Sequence, residues 1–262
     1  MKDFFSPEPL IFASQGGVNS YPRNTIPCFE EAFRLGADVV CINVHPSKDG
    51  IFMVLPDEKI EGFGGVNGPA AEYNAAELKE IDAGYNYTDG EENYPFRGKG
   101  MKFVSLEELL NYFPDKKFNI TLLCKDIKTV KEYGSLIKKC GAESRILTVS
   151  LYGKVIKEVR KILPGTATAF SISGLLGVYA LFKSGLLFFV SSFAADALQT
   201  AEKIGASYIA NGGLIRQMQD RGVKVHVWGV NNETQLKRLY DAGADGYVTD
   251  HVEMVKEFLD KA

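Results

Sequence analysis

Residues 10–57 read LIFASQGGVNSYPRNTIPCFEEAFRLGADVVCINVHPSKDGIFMVLPD, and this stretch decides the fold. Residues 10–14 form an apolar run of strand length, the pattern of a strand covered on both faces. Residues 24–35 place Ile26, Phe29, Ala32 and Phe33 at helical spacing, and Gly36 supplies the residue that ends such a helix. A second strand is predicted over 38–44, and a short further strand over 51–55 follows the Lys48-Asp49-Gly50 turn. A buried strand, an amphipathic helix and another buried strand make the repeating unit of a parallel sheet.

The same alternation continues outward from that stretch. Helices are predicted over 106–112, 130–140, 154–163, 194–204, 214–221, 233–242 and 252–261, and strands over 118–124, 145–149, 166–172, 208–211, 223–230 and 247–249. Counting strand starts at Leu10, Asp38, Phe118, Arg145, Thr166, Tyr208, Val223 and Tyr247 gives eight βα units, the number that closes a (β/α)₈ TIM barrel of α/β class. A doubly wound open sheet is the alternative, but no GxGxxG turn accompanies it. Gly36-Ala37-Asp38 and Gly243-Ala244-Asp245 punctuate helix to strand alike, and Gly141-Ala142-Glu143 and Gly205-Ala206-Ser207 repeat the device. No low-complexity linker divides the chain, so one domain over 1–262 is expected. An insertion after the second strand, about 57–102 and rich in glycine, would lie at the C-terminal mouth of the barrel.

The chain has 262 residues, 45% hydrophobic and 24% charged, ordinary for a globular domain of barrel size. A formal charge of −3 and the absence of any basic run argue against nucleic acid, whose phosphates demand clustered Lys and Arg. Cys28, Cys41, Cys124 and Cys140 show no metal spacing and read as free thiols of a reducing, cytoplasmic compartment. Cys41 and Cys124 are expected to approach each other on neighbouring strands. The N-terminus is too charged for a signal peptide. Residues 175–190, LLGVYALFKSGLLFFV, are interrupted by Lys183-Ser184-Gly185 and fall short of the ~20 apolar residues of a membrane span. They read as a buried helix followed by a buried or docking segment, with an exposed apolar patch that touches lipid or a partner as the alternative.

Motifs along the whole chain resemble the glycerophosphodiester phosphodiesterase family. The opening stretch matches its spacing, Lys48-Asp49-Gly50 its turn, residues 76–84 its insertion helix, and residues 103–110 (FVSLEELL) its entry to the next helix. Val227-Trp228-Gly229-Val230-Asn231 and Ala244-Asp245-Gly246-Tyr247-Val248-Thr249-Asp250 match its closing motifs. The resemblance implies a TIM barrel, a phosphodiester substrate, two histidines as general acid and base, and carboxylates holding Mg²⁺ or Ca²⁺. Those roles fit the chemistry: imidazole titrates near neutrality, and hard cations want charged oxygen ligands.

This chain departs from the implied pattern at the reacting positions. Ser14 stands for the first histidine, Gln15 for the phosphate-touching arginine and Pro56 for the second histidine. Cys41 and Asn43 replace Glu and Asp, Arg23 replaces a Glu, Thr121 a third-strand Glu, and Leu123 the Lys beyond it. Asn24, Thr25, Asp57, Trp228 and Asn231 are retained. The expectation is therefore a catalytically degenerate barrel that binds a phosphate-bearing small molecule, with no cofactor and no metal; the alternative is an active phosphodiesterase using displaced residues. His45, Lys125, Asp57 and Cys41 are the displaced candidates, although His45 reads more simply as a partly exposed strand-end residue. Arg23 with Lys125 and the helix N-terminus at Asn24-Thr25 could grip an anion. His226 is expected inside the barrel as a hydrogen-bonded core residue, and His251 at the rim. Oligomeric state is left open.

Overall fold

The structure, a computed structural model, describes residues 2–17, 20–63, 66–90, 93–205 and 207–262. Gly64 and Gly65 of the glycine-rich insertion, and Ala206 of the Gly-Ala-Ser punctuation, lie outside the described residues.

The first half of the chain runs β1 (Leu10–Ser14), α1 (Ile26–Arg34), β2 (Val39–Pro46), β3 (Phe52–Val54), β4 (Lys59–Phe63), β5 (Val66–Pro69), α2 (Ala75–Lys79), α3 (Leu106–Tyr112), β6 (Lys117–Leu122) and α4 (Ile127–Lys139). It continues with β7 (Ile146–Val149), α5 (Gly153–Ile162), β8 (Ala167–Thr168), α6 (Ile172–Lys183), β9 (Ala197–Ala201), β10 (Lys203–Ile204) and β11 (Ser207–Tyr208). The last elements are α7 (Gly212–Gln219), β12 (Lys224–Trp228), α8 (Glu233–Asp241), β13 (Gly246–Thr249) and α9 (Val252–Leu259). Eight parallel strands follow one another in the order β8-β7-β6-β2-β1-β13-β12-β9. A single parallel bridge, Ala169 opposite Ala197, brings β8 to β9 and closes the cylinder.

Period-two alternation along each strand sorts side chains into two cores. Leu10, Phe12, Val39, Leu147, Ala167 and Ala197 turn inward, where Phe4 and Phe5 of a short 3-10 turn fill the floor. Ile11, Ala13, Val40, Ile42, Phe118-side neighbours Ile120 and Leu122, and Val225 turn outward against the helices. Helix starts carry their own signals: Ser105 accepts from the Glu108 amide while Glu108 accepts from the Ser105 amide, closing a capping box on α3.

Three expectations are corrected. Residues 194–204, predicted as a helix, contain β9, the sixth barrel strand. The predicted barrel strand at 208–211 is instead the end of a two-residue antiparallel hairpin, β10–β11, off the barrel. Residues 175–190 are not a buried helix: only Val178 of α6 is buried, and Phe188 and Phe189 beyond it stand largely in solvent. Among the described residues no helix is long and apolar enough to cross a membrane.

The stretch after β2 is not a bare excursion. β3 pairs antiparallel with β2, and Met53, Leu55, Ile60, Leu78, Ile81 and Phe103 form a third small core under β4, β5 and α2.

Candidate functional site

Where β1 ends, the register sets a residue from each of β1, β2 and β6 side by side, below the mouth. Ser14 lies opposite Cys41 and Cys41 opposite Asn119. The Asn119 amide donates to Cys41 Sγ at 3.2 Å and to Gln199 Oε1 at 3.4 Å, and Gln199 Nε2 lies 3.4 Å from His226 Nδ1. This polar chain crosses the barrel interior. Burial pushes the Cys41 thiol up to about 12 and holds His226 down to about 3, so both are neutral near pH 7. His226 is the hydrogen-bonded core histidine expected of it.

One layer nearer the mouth, Asn43 pairs in register with Thr121. The Asn43 amide donates to the Pro56 carbonyl at 2.8 Å, so the side chain braces the segment after β3. His45 shares parity with these residues but is buried, with Nε2 unpartnered. The expected partly exposed strand-end position is therefore wrong: His45, in register with Met53 of β3, is 2% exposed. Burial lowers its pKa, opposed by the charges of Glu58 and Asp57. Asp57 is exposed and lines a separate cavity of about 540 Å³ with Glu58 and Lys59.

The main concavity, about 630 Å³, opens between the β1–α1 loop and the insertion. Gln15, Arg23, Asn24 and Pro56 line it from the barrel; Tyr21, Phe63, Asn86, Tyr87 and Phe103 are among those that complete it. Gln15 and Asn24 both have left-handed backbone, φ 52° and 60°, and the Asn24 amide donates to the Gln15 carbonyl. Asparagine tolerates that region better than most side chains. Asn24 is 1% exposed, and neither atom of its carboxamide has a hydrogen-bond partner within the protein. It immediately precedes Thr25, the N-cap of α1.

Arg23 does not face the cavity unopposed. Its Nη1 lies 3.1 Å from Asp250 Oδ1, and Asn231 donates to Asp250 Oδ2 at 2.8 Å. Lys125 is not its companion, since the ammonium sits 5.2 Å from the Tyr152 ring centre on the rim above β7. Cys41 and Cys124 do not approach: Cys41 points into the barrel with Asn119, whereas Cys124 packs in the outer layer and is itself raised to about 11 by burial. Leu123 lies past β6, its amide 3.5 Å from the Val44 carbonyl. Trp228 ends β12 half exposed at the rim, and His251 lines a neighbouring groove with Asp250 and Glu253.

The cation that the resemblance implies does not fit these residues. Cys41, Asn43 and Thr121 bring no charge, His45 is buried, and Asp57 lines the adjoining cavity with Glu58 and Lys59. Among the described residues no group of three His, Cys, Asp or Glu side chains is placed to hold a metal. Sequence reasoning missed Tyr21, Asn86 and Tyr87. The ring contacts of Phe96 with Tyr21 (5.7 Å) and Tyr87 (5.0 Å) bind the insertion to the β1–α1 loop. The aromatic cluster Tyr85-Asn86-Tyr87 within glycine-rich sequence was the available signal.

A closed parallel barrel with a cavity at the C-terminal ends of its strands is the frame on which TIM-barrel enzymes build their sites. The glycerophosphoryl diester phosphodiesterase family model matches residues 15–254, and the chain belongs to that family. The glycerophosphodiester phosphodiesterase of Caldanaerobacter subterraneus subsp. tengcongensis is 26% identical over 265 residues, covering 96% of this chain and 98% of the relative. Among solved structures, the glycerophosphoryl diester phosphodiesterase domain of an uncharacterised Mycobacterium tuberculosis protein superposes with TM-score 0.84 at 17% identity, covering 97% of this chain and all of that one. An Oleispira antarctica phosphodiesterase in complex with the product sn-glycerol-3-phosphate gives 0.77 at 19%, with 97% of each chain covered.

Proposed function

We propose that this barrel binds a phosphate-bearing small molecule of the glycerophosphodiester type in the Gln15–Asn24 cavity and does not cleave it. The observation that carries the reading is Asn24, which lines the cavity and whose buried carboxamide has no partner within the protein, an arrangement that costs free energy unless a bound ligand supplies hydrogen bonds. Gln15 and Arg23 sit beside it with donors suited to an anion. The chemistry of scission has no carrier in the same place, because Ser14, Gln15 and Pro56 stand where the family's histidines and arginine act. Residues 57–102 then serve as the cap of the same single domain.

A second reading, hydrolysis as a phosphoric diester hydrolase of lipid metabolism, is favoured by kinship: the relatives are named as phosphodiesterases. His45 is the imidazole nearest the required place and would have to be uncovered to act. Calorimetric titration with sn-glycerol 3-phosphate and with a glycerophosphodiester, alongside an assay for glycerol 3-phosphate release with Mg²⁺ or Ca²⁺, separates the two. Binding without release supports the first reading. Turnover that disappears in His45→Ala establishes the second.

A further inference from the structure

The outer flank of the barrel around α6 differs from the rest of the surface. Ile172 and Leu176 lie one turn apart on α6 and are each about half exposed, with Ala180 continuing the same stripe. Beyond Gly185, Phe188 and Phe189 are 77% and 79% exposed and stack edge to face at 5.7 Å. Arg221 fixes this outward presentation by donating to the carbonyls of Leu187, Phe188 and Val190. Two adjacent phenylalanines held in water by three backbone contacts are a docking feature, since a mobile loop would fold them away.

Charge identifies the occupant. Lys154, Lys157 and Lys161 project from the exposed face of α5, the neighbouring helix, and Lys183 adds to α6 itself. Over residues 153–183, which span both helices, five basic side chains accompany one acidic one, Glu158, in a chain whose formal charge is −3. An apolar ridge edged by lysines on an otherwise acidic protein is complementary to an anionic lipid surface. A second copy of the chain would bring like-charged α5 stripes together instead.

We propose that the α5–α6 flank, with Phe188 and Phe189 as its inserted tip, docks the barrel onto membranes bearing anionic phospholipid. The full chain is mixed with vesicles of phosphatidylcholine alone or with phosphatidylglycerol at about one part in three, then sedimented. The expected result is binding to the anionic vesicles that weakens as salt is raised, with little binding to phosphatidylcholine. Lys154→Gln with Lys157→Gln and Lys161→Gln lowers partitioning on the order of a hundredfold, at roughly fivefold per lysine. Phe188→Ser with Phe189→Ser lowers it by roughly tenfold or more. All five side chains are exposed, so circular dichroism and thermal midpoint stay at wild-type values in both variants. Absence of binding to anionic vesicles, or binding unchanged in both variants, overturns the proposal. So does a concentration-dependent dimer that the Phe188/Phe189 change dissolves while vesicles remain unbound.

Discussion

At the scale of single residues, Asn24 concentrates the functional question. Its left-handed backbone is one that glycine also adopts, so Asn24→Gly is expected to change stability by less than about 1 kcal/mol. The same change removes the unpartnered carboxamide and should weaken sn-glycerol 3-phosphate binding by roughly tenfold or more, read by calorimetry. Asn24→Val forces a branched side chain into that region and costs about 1–3 kcal/mol in a denaturation experiment. His226 sets a different signature. Its folded-state pKa is depressed to about 3, so the folded protein takes up its proton far less readily than the unfolded chain. Above about pH 6.5 both states are neutral and His226 adds no slope. As pH falls from there toward 3, the unfolded state gains the proton first and stability drops, by up to roughly 4–5 kcal/mol. Urea titrations across that window in wild type and His226→Gln should show the slope flattened in the variant.

At the scale of elements, a repeated acidic residue organises the floor of the barrel. Asp38 before β2 accepts from the Ile11 amide, Asp196 before β9 from the Thr168 amide, and Asp245 before β13 from the Val225 amide, each at 2.8 Å. Each carboxylate thus fastens the start of its own strand to the strand beside it. Asp196→Ala is expected to destabilise by about 1.5–3 kcal/mol, the range for a hydrogen bond to a charged group, measured by chemical denaturation. The same device explains what the chain revealed and what it concealed. Ala37-Asp38 and Ala244-Asp245 were readable because each follows a glycine, and their strands were placed within a residue or two. Ala195-Asp196 is the third copy without the glycine, and the alanines, leucine and glutamine around it have high helix propensity, which hid β9. Tertiary pairing with β12 overrides that preference. Strand parity made the alignment of Cys41, Asn43 and Thr121 readable, but none of the three lines the main cavity. The mouth was illegible at His45, because the burial of a strand end depends on packing from segments distant in the chain. The insertion's contribution depends on ring packing between distant segments, which no local period encodes.

At the scale of the whole molecule, the segment ahead of β1 acts as a floor. Phe4 is wholly buried against Phe12, and Phe4→Ala should cost about 3–5 kcal/mol, visible as a lowered denaturation midpoint. Lys2 extends the same segment to the carbonyl of Thr166 and the carboxylate of Asp196, at 2.6 and 3.1 Å. Those two residues lead into β8 and β9, the pair of strands that meet through one bridge. The cylinder is thus buckled across its thinnest join by a lysine far away in the chain. Lys2→Ala should speed deuterium uptake at Ala169 and Phe170 while leaving the β2–β6 amides protected. Trimming the chain back to Phe4 would remove that buckle, whereas trimming residues after α9 would leave it fastened.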